Sequence, residues 1–168
     1  YTEIGNFVGS VYQAEVRNKK TSKELLFEKK GNVTLHQKKY PVSIKKTISP
    51  KGASSFRVHY SITNGGSIRL QCAFGIEYNF SIGETNAKMG LHERNIREWI
   101  FNDSWRGIWI ELRSKTAFDL IAAPVETISE SESGLERTYQ ELGVLLQKNI
   151  NLEPKETKEE LIELSVRC

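Results

Sequence analysis

Hydrophobic residues occupy every second position along one stretch of the chain. They are Ile68, Leu70, Cys72, Phe74, Ile76, Tyr78, Phe80 and Ile82. A period of two places alternate side chains on opposite faces of a β-strand. We therefore predict a long, half-buried strand at the centre of a sheet, with its apolar face turned towards the core.

A second alternating run precedes this strand. Its apolar residues are Phe56, Val58, Tyr60 and Ile62. Between the two runs lies Asn64-Gly65-Gly66, and these residue types readily adopt the positive φ angles of a tight hairpin turn. The two runs are predicted to pair as an antiparallel hairpin.

Shorter alternating runs recur along the rest of the chain. They fall at 12–16, 25–27, 33–35, 40–44, 108–112 and 162–166. About ten short strands separated by turn residues are typical of a β-sandwich. The best helical candidate, Thr157 to Leu164, is short, so at most a turn or two of helix is expected. Residues 1–168 are predicted to form one all-β domain, an antiparallel β-sandwich.

Charge is unevenly distributed along the sequence. Residues 1–115 hold 19 basic and 10 acidic groups, a formal charge of +9, and residues 116–168 hold 5 and 11, a charge of −6. A basic half can mark a nucleic-acid surface, but these lysines mostly flank apolar runs, as strand ends and a solvated sheet face require. We expect no nucleic-acid partner and keep a nucleic-acid-binding β-domain as a minor alternative.

Residues able to support catalysis or metal binding are scattered. The three histidines have no ligand-spaced partner, and the cysteines Cys72 and Cys168 lie 96 positions apart. Neither a metal site nor a cofactor is predicted. Sugar hydrolysis commonly uses two facing carboxylates, and the acidic residues Glu126, Glu130, Glu132 and Glu136 could supply them. A solvated loop rich in Ser and Glu has the same composition and is the preferred interpretation, so no catalytic residue is assigned.

Tryptophans form the most distinctive local feature. Trp99, Trp105 and Trp109 lie within eleven residues, beside several arginines. Indole rings either pack in a core or stack on the apolar faces of sugars. Trp109 alternates with Ile108 and Ile110, so it is predicted to be the exposed ring. The three tryptophans are candidate contacts for a carbohydrate or for another domain.

One segment resembles a known family. Residues 124–140 read PVETISESESGLERTYQ, which is similar to the pattern PIETVSQSExGxExxYQ of the C-terminal domains of family 57 α-amylases and 4-α-glucanotransferases. The chain departs from that pattern at Glu130, where Gln is usual. Further similar pieces occur in the same order at 7–16, 42–46, 74–79 and 103–107.

The resemblance implies a galactose-mutarotase-like (supersandwich) fold. Because the chain is compact for that sandwich, we expect some loops or strands to be trimmed. It also implies a position behind a catalytic (β/α) barrel of the same parent chain. That barrel, outside this sequence, would supply the nucleophile and acid of a retaining enzyme acting on an α-1,4-glucan or maltooligosaccharide. Docking onto the barrel and acting as an independent carbohydrate-binding module both remain open. Glu132, Glu136, Tyr139 and Gln140 join the tryptophans as candidate contacts, in an ordered loop leading into a strand.

The sequence shows no membrane-spanning run of about 18 apolar residues and no signal-peptide pattern. We expect a cytoplasmic protein with no membrane partner, and a C-terminal piece of a longer chain.

Overall fold

Antiparallel β-strands make up the fold. The structure is a computed structural model that describes residues 2–19, 22–82, 91–131 and 134–168, with Ser131 described by its backbone alone. The strands are β1 (Gln13–Asn18), β2 (Lys23–Leu35), β3 (Lys38–Gly52), β4 (Ser55–Asn64), β5 (Leu70–Phe80), β6 (Leu91–Asp103), β7 (Ile108–Ser131), β8 (Gly134–Leu152) and β9 (Thr157–Arg167). The described residues contain no helix. The predicted all-β, antiparallel fold class is confirmed.

The strand order is β1-β2-β3-β4-β9-β7-β8-β5, with β6 on the other side of β7. The long strand β7 organises this sheet because it pairs with two strands along one edge. Its first part, Trp109 to Ser114, pairs with β9. Its later part, from Asp119 onwards, pairs with β8. The segment 115–118, which we call the β7 fork, lies where these two ladders separate.

A hydrophobic core lies between the two parts of the sheet that diverge at the fork. Alternate residues of β8, including Leu142, Val144 and Leu146, are buried there, as the period of a strand requires. Across the core, the rings of Tyr60 in β4 and Phe74 in β5 meet edge to face, with centroids 5.6 Å apart. The parts carrying β4 and β5 thus pack face to face.

The predicted hairpin of β4 and β5 is wrong. β4 pairs with β3 and β9, whereas β5 pairs with β8. The backbone N–H of Gly65 donates instead to the carbonyl of Pro41 (2.8 Å). The Asn-Gly-Gly segment therefore carries the chain from one part of the sheet to the other.

The face assignment of the strand predicted at 68–82 is correct, but its central position is wrong. Leu70 and Ile76 are buried, and Cys72 and Phe74 pack against the core from half-buried positions. Ile68 is exposed, and among the described residues β8 alone pairs with β5. β5 is thus an edge strand in the described part of the chain.

Other strand limits also differ from the prediction. Runs 25–27 and 33–35 belong to the single strand β2, and Thr157 to Leu164 is part of β9 rather than a helix. β6 was not predicted. Two irregularities interrupt its register with β7 between Glu93 and Glu98, and such bulges disturb the alternation on which a strand prediction depends.

No helix in the described residues is long and apolar enough to cross a membrane.

Candidate functional site

The candidate residues named from the sequence lie in three separate places. Trp99 is in the core, Trp105 and Trp109 belong to the β6–β7 hairpin, and Glu136, Tyr139 and Gln140 belong to β8. Glu132 lies outside the described residues. The structure therefore does not bring the set together into one site.

Trp99 packs inside the protein. Its side chain is only 5% exposed, and its ring stacks on Phe101 with centroids 5.8 Å apart. In this position the indole contributes to the core, where a ligand cannot reach it.

Trp105 is the most exposed of the three tryptophans, at 73%. It lies in the β6–β7 turn, where one carboxylate oxygen of Asp103 accepts hydrogen bonds from the backbone N–H groups of Trp105 and Arg106 (3.2 Å each). Gly107 completes the turn with a φ of +67°, a value that glycine adopts without strain. The guanidinium of Arg106 lies over the indole, 5.5 Å from its centroid.

Trp109 is 47% exposed and lies on the outward face of the sheet. The alternation of β7 predicted this exposure correctly, although Trp105 is more exposed. Trp109 is paired with Asn102 of β6 and Arg167 of β9. Together with Ile100, Glu111, Arg113 and Arg167 it surrounds a cavity of about 360 Å³, which we call the Trp109 pocket.

Charged groups beside this pocket hold one another in place. The buried carboxylate of Glu111 contacts Arg113 through one oxygen and Arg167 through the other, the latter at 2.7 Å. Arg113 also donates from Nε to Glu98 (2.6 Å). This hydrogen bond lowers the pKa of Glu98 and raises that of Arg113. Two carboxylates and two guanidiniums therefore form one network with no net charge.

The segment carrying the family resemblance forms a two-stranded arm. Residues 125–131 and 134–141 pair with each other, whereas the ladders to β5 and β6 end at Leu142 and Ala122 in the described residues. At about 3.3 Å per residue the arm extends roughly 20 Å. The segment was expected to be a loop leading into a strand, and the structure shows paired strands.

Side chains of the arm point to opposite sides. Register places Glu126 opposite Tyr139, and Ser129 opposite Glu136. Because alternate residues of a strand face opposite ways, Glu136 and Gln140 lie on one face of the arm, whereas Tyr139 and Glu126 lie on the other. Glu126 and Glu136 therefore cannot face each other across a single glycosidic bond.

A buried ion pair at the β7 fork was not predicted. Lys148 of β8 and Glu160 of β9 are joined at 2.5 Å, and both side chains are buried. The ammonium also donates to Ser114 Oγ (3.1 Å) and to the carbonyl of Thr116 (3.1 Å). The Thr116 hydroxyl donates to the same Glu160 oxygen at 2.7 Å. The pair thereby bridges β8 and β9 where neither is paired with β7.

Solved structures with a similar fold come from larger proteins. The 4-alpha-glucanotransferase of Thermococcus litoralis matches 99% of this chain at 21% identity and a TM-score of 0.77, and this chain covers 24% of it. The Slr1438 protein of Synechocystis sp. PCC 6803 matches 92% at 12% identity and a TM-score of 0.65, with 65% of that protein covered. The chain thus spans about a quarter of the first protein and about two thirds of the second.

No curated protein matches the chain significantly. The sequence of residues 1–160 matches the family described as alpha-amylase/4-alpha-glucanotransferase, C-terminal. The resemblance seen in residues 124–140 is thereby confirmed over nearly the whole length. The chain belongs to the family of C-terminal domains of α-amylases and 4-α-glucanotransferases.

Proposed function

We propose that this chain is a non-catalytic domain of an α-1,4-glucan-processing enzyme and that it packs against the catalytic barrel of its parent chain through the β7–β8 arm. Catalysis is assigned to the barrel because Glu126 and Glu136 lie on opposite faces of the arm. Glu126 and Glu130 share a face, but their Cα atoms are roughly 13 Å apart along β7, wider than the usual spacing of a catalytic carboxylate pair. An independent carbohydrate-binding module is the second candidate, favoured by the exposed ring of Trp109.

The observation that carries the docking proposal is the exposure of both faces of the arm. A two-stranded ribbon is only marginally stable in water by itself. The arm nevertheless carries large apolar side chains in exposed positions, with Ile128 at 62% exposure and Leu135 also exposed. Covering these side chains would stabilise both the arm and the assembly.

The catalytic barrel is the occupant that best fits this arm. About three quarters of the Thermococcus litoralis protein lies outside the region that this chain matches, so the family provides a large partner within the same polypeptide. The arm also carries most of residues 124–140, the segment in which the resemblance to the family was seen. The family pattern specifies residue types on both faces of this exposed ribbon. Such a pattern is expected if both faces contact a partner.

Binding of this chain to the separately produced catalytic part of the parent enzyme tests the proposal. Ile128→Ser should weaken binding about tenfold or more, because it replaces an apolar contact at the proposed interface. The matched control is Val16→Ser, since Val16 is similarly exposed at 57% but lies in β1 at the far end of the sheet. Equal binding by the Ile128→Ser variant and the unmodified chain would contradict docking through the arm.

A further inference from the structure

We propose that the Trp109 pocket binds a glucosyl unit of an α-1,4-glucan. The choice of ligand rests on the proposed function, because it takes the substrate class of the parent enzyme. The geometry of the pocket provides separate support.

Two large apolar side chains lie at this pocket on an otherwise polar face. Trp109 is about half exposed, and so is Ile100 of the neighbouring strand. The residues opposite them in the sheet are Asn102, Glu111 and Arg167. A concave surface that combines apolar side chains with a few polar groups is typical of small-molecule sites. The cavity of about 360 Å³ lies within the usual range of roughly 300–1,000 Å³ for small-molecule sites.

The polar rim is fixed before any ligand arrives. Glu111 is buried and contacts both Arg113 and Arg167, whose own side chains are more than half exposed. A guanidinium has five N–H donors, more than the contacts of Arg113 with Glu98 and Glu111 use. The arginines can therefore donate to a ligand while the carboxylates hold them in place, which lowers the entropic cost of binding.

A sugar ring matches both parts of this surface. One face of the ring presents C–H groups that can stack on an indole, and its edge presents hydroxyls that accept hydrogen bonds from arginine. The network of Glu98, Glu111, Arg113 and Arg167 has no net charge, so it favours a neutral ligand over a polyanion such as a nucleic acid. A neutral glucan satisfies both conditions.

Isothermal titration calorimetry of this chain with maltoheptaose tests the proposal. Trp109→Ala should lower the affinity about tenfold or more, and Trp109→Phe should retain part of it because a ring remains. The matched control is Trp105→Ala. It removes the more exposed tryptophan of the same hairpin, which is not one of the residues that surround the pocket. Melting temperatures of all three variants would show whether each remains folded.

Several results would overturn the proposal. They are the absence of maltoheptaose binding up to about 10 mM, binding unchanged by Trp109→Ala, and Trp109-dependent binding of a single-stranded oligothymidylate. The test is separable from the docking assay. If the chain binds the catalytic part but not maltoheptaose, only the proposal for the Trp109 pocket is overturned. If it binds maltoheptaose but not the catalytic part, only the proposal of docking through the arm is overturned.

Discussion

Asn64 shows how a single buried amide can join distant parts of the chain. Its side chain is fully buried, and its Nδ2 group donates to the carbonyls of Ile68 (2.8 Å), Leu152 (3.1 Å) and Glu153 (3.2 Å). Its Oδ1 accepts from the backbone N–H of Gly66 (3.0 Å). The end of β4 is thereby attached to the end of β8, 88 residues further along the chain.

Replacing Asn64 with alanine should lower the free energy of unfolding by about 3 kcal/mol, because buried backbone groups would lose their partners. Urea denaturation measures this change. Asn18→Ala, at an exposed position in the edge strand β1, should change it by less than about 0.5 kcal/mol. Equal effects of the two substitutions would show that the Asn64 network contributes nothing specific.

The candidate residues illustrate what sequence can establish about single side chains. Alternation with Ile108 and Ile110 correctly predicted that Trp109 is exposed. It could not show that Glu111, also in an outward-facing position, is buried by Arg113 and Arg167. That burial depends on Arg167, which is 56 residues away in sequence.

At the scale of strands, alternation predicted faces well and pairing poorly. The apolar face of β5 was identified correctly because each face depends only on neighbouring residues. Its partner β8 could not be identified, since the apparent turn before β5 suggested β4 and no local signal favours a strand some 70 residues away. Much of β8 was missed for another reason, because Lys148 interrupts its row of buried aliphatic residues.

The ion pair at the β7 fork predicts an asymmetry between single and double replacement. Lys148→Met should lower the free energy of unfolding by about 3–5 kcal/mol, because Glu160 would remain as a buried charge without its partner. The double variant Lys148→Met with Glu160→Leu should recover most of this loss, since apolar pairs often replace buried ion pairs without cost.

Chemical denaturation of the two single variants, the double variant and the unmodified chain measures this coupling. Lys158→Met serves as the control, because Lys158 lies two residues before Glu160 in β9 but is only partly buried. Additive losses in the double variant would contradict the proposed coupling of Lys148 and Glu160.

At the scale of the whole molecule, the fold brings together charges that the sequence separates. Register places Glu98, Arg113, Glu163 and Arg57 in one row across β6, β7, β9 and β4. Acidic and basic residues therefore alternate along this row, in which Glu163 of the acidic second half lies between Arg113 and Arg57 of the basic first half. Sequence order could not show this, because strands distant in the chain are neighbours in the fold.

This row predicts how stability depends on pH. Lys51 and Arg57 donate hydrogen bonds to the two oxygens of Glu163, at 2.6 and 2.9 Å, and these bonds lower the pKa of Glu163 below its ordinary value of 4.5. Below that value the unfolded chain binds a proton more readily than the folded chain does. The stabilisation by Glu163 is therefore present above about pH 4.5 and is lost as pH falls towards the lowered pKa.

Glu163→Gln should reduce the free energy of unfolding by about 1 kcal/mol at pH 7. The difference from the unmodified chain should become smaller at about pH 3, where the native carboxylate is increasingly protonated. Urea denaturation at both pH values and low ionic strength measures the two differences. Glu77→Gln, at an exposed position in β5, should show little difference at either pH. If Glu163→Gln lowers the free energy of unfolding by the same amount at both pH values, the ion pairs of Glu163 do not contribute to acid-dependent stability.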